Sequence, residues 1–201
     1  DDWRPAWRVA LVPGYKAHRV AYDNVEQVPE ALTAQVPLIR EVLGALGLPV
    51  LGAPGFEADD VIVTLAASAH GPVDVVTGDR DLFQVVDDAR GVRVLYVARG
   101  VARHERVDDA WLHARYGITG AGYVDFAVLR GDPSDGLPGV RGIGEKTAAS
   151  LVSRFGDLDG IVANVGHLSP AVARALASSI DYLTAARQVV AGATDVPLAA
   201  A

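Results

Sequence analysis

The sequence predicts an α/β core carrying a helical extension, and three observations predict it. A β-branched run at Val73-Asp-Val-Val-Thr77 stops at Gly78, and a second apolar run, Val92–Val97, follows a short helical stretch. Helical patterns precede the first of these strands, so strand and helix alternate as in α/β sheets. From Asp108 onward the spacing is helical throughout, so the pattern changes near residue 115. Residues 1–115 are therefore expected to form the α/β core, and residues 116–201 a helical extension packed on it.

Residues 1–19 read as a loop that interleaves aromatic and basic side chains, with Trp3 and Trp7 as partial core. In the same loop, Lys16 and Arg19 suit phosphates and Tyr15 suits stacking on a base. A helix is expected from about Pro29 to Leu46, with Leu32, Val36, Ile39, Leu43 and Leu46 on one packing face. Pro37 predicts a kink in it and Gly47 its end. A short strand is expected over 49–53. The next helix buries Ala58, Val61, Ile62, Leu65 and Ala66, and its first turn holds Glu57, Asp59 and Asp60. One acid at a helix N-terminus complements the macrodipole. Three acids in four residues repel one another unless a cation sits among them.

Asp79 and Asp81 stand just beyond the carboxyl end of the Val73–Thr77 strand, where α/β sheets bind ligands. Helix capping would account for Asp81 but not for Asp79 as well. A helix is expected over 81–86, then a strand over 92–97. His104 reads as a solvent-facing loop residue without a role. The remaining helices are expected over about 108–116, 122–130, 144–154, 157–164 and 169–191.

Composition narrows the function. Half of the 201 residues are hydrophobic, enough for a sizeable core. No apolar run is long enough to span a membrane as a helix. The absence of cysteine excludes disulfides, zinc–thiolate sites and thiol catalysis, and accords with a cytoplasmic setting. The absence of methionine predicts a translational start upstream of Asp1. A net charge of −7 speaks against a nucleic-acid partner only superficially, because the acids are clustered and divalent metals would cancel several. Lys16 and Lys146 are the two lysines in a chain that otherwise uses arginine, and both fall in stretches singled out for binding.

The richest stretch is Gly131-Asp-Pro-Ser-Asp-Gly-Leu-Pro-Gly-Val-Arg-Gly-Ile-Gly-Glu-Lys-Thr-Ala148. It is not a P-loop, because Glu145 rather than Gly precedes Lys146, and Thr147 stands where a dinucleotide fingerprint needs its third Gly. Val140-Arg-Gly-Ile-Gly-Glu-Lys-Thr147 sits between helices with Gly142 and Gly144 at the turn, a helix–hairpin–helix pattern. Backbone amides there, with Lys146 and Thr147 at the following helix start, suit a nucleic-acid backbone without reading bases. A plain helix–helix turn would need one Gly and no Lys. Upstream in the same stretch, Asp132 and Asp135 join Glu57, Asp59, Asp60, Asp79 and Asp81. Such a set suits Mg²⁺ or Mn²⁺, and two or more ions could drive in-line attack on a phosphodiester. A glycosidase would use only two of these carboxylates.

Four stretches together resemble the 5′-nuclease family, the flap endonucleases and the 5′–3′ exonuclease domains of bacterial DNA polymerase I. They are Pro13-Gly-Tyr-Lys-Ala-His-Arg19, Gly55-Phe-Glu-Ala-Asp-Asp60, Thr77-Gly-Asp-Arg-Asp-Leu-Phe-Gln84 and the Gly131–Ala148 stretch, in the family's order and with similar gaps. The resemblance implies a twisted, mostly parallel sheet flanked by helices, a PIN-like core, with a helix–hairpin–helix extension. It implies metal-dependent hydrolysis of DNA at 5′ flaps and 5′ ends in replication and repair. By the same resemblance Glu57, Asp59, Asp60, Asp79, Asp81, Asp132 and Asp135 form the metal cluster, and Asp1 joins them as an acid four residues before Pro5. Lys16 and Arg19 match the pair on the scissile phosphate, so that Lys16, Arg19, Asp79 and Asp81 are the expected catalytic group. The hairpin matches the grip on downstream duplex and the seat of a monovalent cation, typically K⁺. Expected partners are branched or flapped duplex DNA and a DNA polymerase in cis or in trans, with the protein a monomer.

Three departures accompany the resemblance. The family's first strand does not precede Asp1, whether trimmed away or truly missing, Gly136 replaces an Asn and is expected to loosen the loop around Asp135, and residues 20–31, in the arch region, hold no Lys or Arg. Two rivals remain: a PIN-type ribonuclease, which would not need the hairpin, and a metal-free structure-specific DNA-binding module, which would not need the acids.

Overall fold

Residues 2–22 and 25–198 are described by a computed structural model. Pro5 opens α1 (Ala6–Leu11), which leads through a turn to a two-stranded antiparallel pair, β1 (Val20–Tyr22) and β2 (Val25–Glu26). Then come α2 (Glu30–Ala45) and α3 (Ala58–Ser68). The central sheet has the order β3 (Val73–Thr77), β4 (Val92–Tyr96), β5 (Glu105–Val107). β3 and β4 are parallel, Val73 opposite Val92 and Thr77 opposite Tyr96; β5 runs antiparallel to β4. α4 (Asp109–Tyr116) closes the core region, and the extension is α5 (Tyr123–Arg130), α6 (Glu145–Phe155), α7 (Leu158–Ala163), α8 (Pro170–Ala177) and α9 (Ile180–Val190).

Sheet and helices share one core. Leu82, Phe83, Val94, Val107, Leu112, Phe126, Leu129 and Leu183 are fully buried in a single cluster. Phe83 meets Tyr96, Trp111 and Tyr123 edge-on at 5.1, 5.6 and 5.5 Å, a geometry that aromatic quadrupoles favour. Each such ring contributes about 1.5–3 kcal/mol by burial. Because Phe83 lies two residues after Asp81, the same packing anchors the segment that carries the β3 acids.

Four expectations meet a different arrangement. α2 forms and Gly47 follows it at φ 70°, yet no residue of α2 is buried, and Leu32, Val36, Ile39 and Leu46 of its stripe are exposed. Pro37 lies inside the helix. Residues 49–53 are irregular rather than a strand, having no ladder partner among the described residues. The helix expected over 81–86 is a 3-10 turn, Asp81–Val85. The long helix expected over 169–191 is broken at Ser178-Ser179, where the Ser178 hydroxyl donates back to the Ala175 carbonyl (3.1 Å), the local bonding by which serine competes with helix.

Candidate active site

Three turns bring the acids together. The first is the start of α3, where Glu57 is the N-cap and Asp60 the N3 residue of a capping box. The Glu57 side chain accepts from the Asp60 amide, and the Glu57 amide donates to Asp60 Oδ2 at 2.9 Å. The second follows β3: the Asp79 amide donates to Thr77 Oγ1 and the Asp81 amide to Asp79 Oδ1, both at 2.9 Å. The third is the 3-10 turn Pro133–Asp135, capped by Asp132, whose Oδ1 accepts from the Ser134 amide at 2.8 Å.

Gly136 brings the third turn against the loop that carries Lys16. The Lys16 amide donates to the Asp135 carbonyl (2.9 Å), and a Cβ on Gly136 would stand 2.3 Å from the Gly14 carbonyl oxygen. Gly136 also holds φ 71°, a conformation that favours glycine. Glycine here therefore tightens the loop around Asp135 where a looser one was expected. Lys16 itself sits at φ 47°, the single described non-glycine residue with positive φ.

Asp60 does not join the metal-facing set. It is fully buried, and its two oxygens accept a bidentate Arg8 guanidinium (2.7 and 2.7 Å), the Ala193 amide (2.9 Å) and the Glu57 amide. Burial alone would raise its pKa, but the Arg8 bonds and the two backbone amides outweigh that and hold it below the usual carboxylate range. Every lone pair faces the protein, which leaves none for a metal. Glu57 is nearly as occupied. It is buried and accepts from Tyr15 Oη (2.9 Å) and Lys16 Nζ (2.6 Å), with Arg8 at 3.6 Å. Burial raises its pKa against the opposing pull of Lys16, Arg8 and Tyr15. Tyr15 is consequently buried beneath the site, so the base-stacking role expected for it does not fit.

The other acids share one cavity of about 230 Å³, lined by Asp59, Asp79, Asp81, Asp132 and Asp135, with Lys16, Arg19 and Arg80 also on its wall. Arg19 donates to Asp135 Oδ1 (2.9 Å) and to the Ser134 carbonyl (2.6 Å). Burial, then the charges of Asp79 and Glu57, push Asp59 up to about 6. Burial, then Asp79, Asp135 and Asp132, push Asp81 up to about 7. Burial likewise raises Asp135, although Lys16 and Arg19 oppose it. Such repulsion is what a cation would relieve. Among the described residues no three carboxylates converge tightly enough to enclose an ion by themselves. An open set of carboxylates of this kind leaves room for a divalent ion that keeps part of its water shell. The donor set therefore fits hydrated divalent ions.

The hairpin forms as expected, but its residues face different ways. Val140 and Ile143 point into the core, and the Val140 carbonyl accepts from the Ile143 amide at 2.9 Å. Gly142 turns the chain at φ 85°. Gly144 starts α6 with no side-chain cap, and Lys146 beside it is exposed, as Thr147 partly is. Only the backbone of Val140 could serve a ligand. Asp1, the remaining expected ligand, lies outside the described residues.

Sequence reasoning missed three arginines. Arg8 is buried and also donates to the Val189 carbonyl (2.9 Å); nothing local to it pairs residue 8 with residue 60. Arg130 approaches Asp132 at 3.5 Å. Arg80 lines the cavity from between Asp79 and Asp81, a position legible in Thr77-Gly-Asp-Arg-Asp81.

Residues 1–117 match the family described as 5′–3′ exonuclease, N-terminal resolvase-like domain, and residues 118–201 match 5′–3′ exonuclease, C-terminal SAM fold. The chain is 58% identical over 206 residues to a 5′–3′ exonuclease of Streptomyces coelicolor, covering 98% of this chain and 68% of the relative. It is 51% identical to a 5′–3′ exonuclease of Mycobacterium tuberculosis, covering 98% and 67%. It is 43% identical to DNA polymerase I of the same organism, covering 99% of this chain but 22% of that one. Among solved structures, the T5 D15 protein co-crystallised with metal ions superposes with a TM-score of 0.72 at 19% identity, over 93% of this chain and 70% of that one. The catalytic core of Rad2 in complex with DNA substrate gives 0.51 at 17%, over 86% and 60%. At these identities the structures bear on the fold alone.

Proposed function

The chain belongs to the 5′–3′ exonuclease family, and from that premise we propose how its cavity cleaves DNA. The protein is a metal-dependent 5′ nuclease acting on structured DNA. The observation that carries the mechanism is the single cavity in which five carboxylates from three turns face Lys16 and Arg19. Two hydrated ions, Mg²⁺ or Mn²⁺, held among Asp59, Asp79, Asp81, Asp132 and Asp135 would lower the pKa of the attacking water and offset charge on the leaving 3′-oxygen.

The chain's own groups do the rest. Lys16 and Arg19, tethered by Glu57 and Asp135, present positive charge to a phosphate entering the acidic cavity and stabilise the charge that builds on it. Glu57 acts through Lys16, and Asp60 through α3, so both position rather than ligate. The amides at the start of α6, with Gly142, Gly144, Lys146 and Thr147, hold duplex backbone without reading bases, and specificity follows from DNA shape. A K⁺ at the Val140–Gly144 carbonyls would complete that grip; flap affinity indifferent to replacing K⁺ with Na⁺ would remove it. We read the protein as a cytoplasmic monomer working with a DNA polymerase in cis or in trans.

Asp79→Asn is expected to abolish cleavage of a 5′-flap duplex in Mg²⁺ or Mn²⁺ while flap binding stays measurable. Full activity in that variant overturns the assignment.

A further inference from the structure

Beside the carboxylate cavity lies a larger one, of about 580 Å³, within the range of about 300–1,000 Å³ typical of ligand sites. Its lining is the reverse of its neighbour's. Arg80, Arg99 and Arg115 stand on it with one acid, Glu105, and Tyr96, Trp111 and Tyr116 form aromatic wall. The three arginines are exposed and have no ion pair among the described residues. The wall is rigid, because Tyr96 and Trp111 pack edge-on against buried Phe83, and Trp111 packs against Tyr116 at 6.1 Å.

The position adds to the chemistry. Arg80 lines both this cavity and the carboxylate cavity. Arg115 and Tyr116 line both this one and a third, of about 340 Å³, which reaches Lys146 on α6. A cationic, aromatic depression thus bridges the cleavage site and the hairpin helix. Guanidinium groups recognise phosphate, and aromatic walls accept any base because every base has a π-face.

We propose that this cavity seats one nucleotide of the DNA substrate between the cleavage site and the hairpin, its phosphate on Arg99 and Arg115 and its base or sugar against Tyr96 and Trp111. This inference rests on the nuclease reading above. It makes Arg99 and Arg115 binding residues, with their effect on affinity rather than on the chemical step.

The test uses the full-length protein and a 5′-flap duplex with Ca²⁺ in place of Mg²⁺, measuring Kd across a salt series. Arg99→Ala/Arg115→Ala is expected to weaken binding about tenfold and to flatten the log Kd against log salt slope by roughly 1, since the one phosphate contact removed contributes about 0.9. The kcat in Mg²⁺ at saturating DNA should be unchanged. Arg154→Ala/Arg174→Ala, which removes two exposed arginines elsewhere, should leave the slope alone. A wild-type slope in the first variant, or an equal loss in the second, overturns the proposal. So does a first variant that loses affinity for free dAMP but not for DNA, since the cavity would then hold released product. Wild-type protein that fails to cleave the flap in Mg²⁺ would instead strike the nuclease reading itself.

Discussion

Asp60 turns inward from the first turn of α3 onto the Arg8 guanidinium, whereas Asp59, its chain neighbour, faces a cavity it shares with Asp79, Asp81, Asp132 and Asp135. One carboxyl is held below its usual pKa range, and the other is pushed up to about 6. Burial alone would raise both; what separates them is the supply of counter-charge. At Asp60 the protein supplies a bidentate cation and two amides, so the group is finished as structure. At Asp59 the protein supplies mostly further carboxylates, so the group is finished only by something from solution. Acid content alone therefore does not separate structural carboxylates from candidate metal ligands; the local supply of counter-charge does.

The sharpest way to break this contrast is to remove the cation from the satisfied side. Arg8→Ala leaves Asp60 buried without its guanidinium and also frees the Val189 carbonyl. Losing one member of a buried pair costs about 3–5 kcal/mol, read as a fall in the urea midpoint. Arg8→Met with Asp60→Leu should recover much of that loss. A single variant within 1 kcal/mol of wild type would mean that the pair does not hold α3 in place.

On the unsatisfied side the sign reverses. The Asp81 carboxyl titrates near 3.8 when unfolded and is pushed up to about 7 in the fold. Between pH 4 and 7 the unfolded chain has therefore released a proton that the native state retains, and metal-free stability falls as pH rises through that window. Asp81→Asn removes the penalty and should stabilise the metal-free protein at pH 7 by up to about 4 kcal/mol, with little effect at pH 4. Mn²⁺ should raise the melting temperature of the wild type more than that of the variant. Equal pH profiles for the two proteins would show that the cavity carboxylates do not repel as their placement requires.

The same contrast explains what was legible in the sequence. The three acid-bearing turns, the β3–β4 pairing and the helical extension each leave a local mark: β-branched runs, capping residues, helical spacing. Asp79 and Asp81 were readable because two acids after one strand exceed what capping needs. The difference between Asp59 and Asp60 leaves no local mark, since it depends on Arg8, fifty-two residues from Asp60 in the chain. The exposed stripe of α2 was equally illegible, because helical spacing specifies an apolar face without specifying what covers it. Gly136 was misread for a related reason: its role depends on the approach of Gly14, which a local turn pattern does not record.

Tyr15 gives the finest test, because its neighbours on the loop are cationic and face the cavity while it does not. In the chain it reads as a stacking residue beside Lys16; in the fold it is buried, and its hydroxyl donates to Glu57 Oε1 at 2.9 Å. Tyr15→Phe keeps the ring and deletes that donor. Glu57 retains Lys16 at 2.6 Å and Arg8 at 3.6 Å, so the loss is one hydrogen bond among several, about 1 kcal/mol. Flap affinity should stay as in the wild type, since no part of the ring reaches the surface on which DNA would lie. A variant of unchanged stability whose affinity drops several-fold would move Tyr15 to the open side of the comparison, with the loop refolding to present its ring when DNA binds.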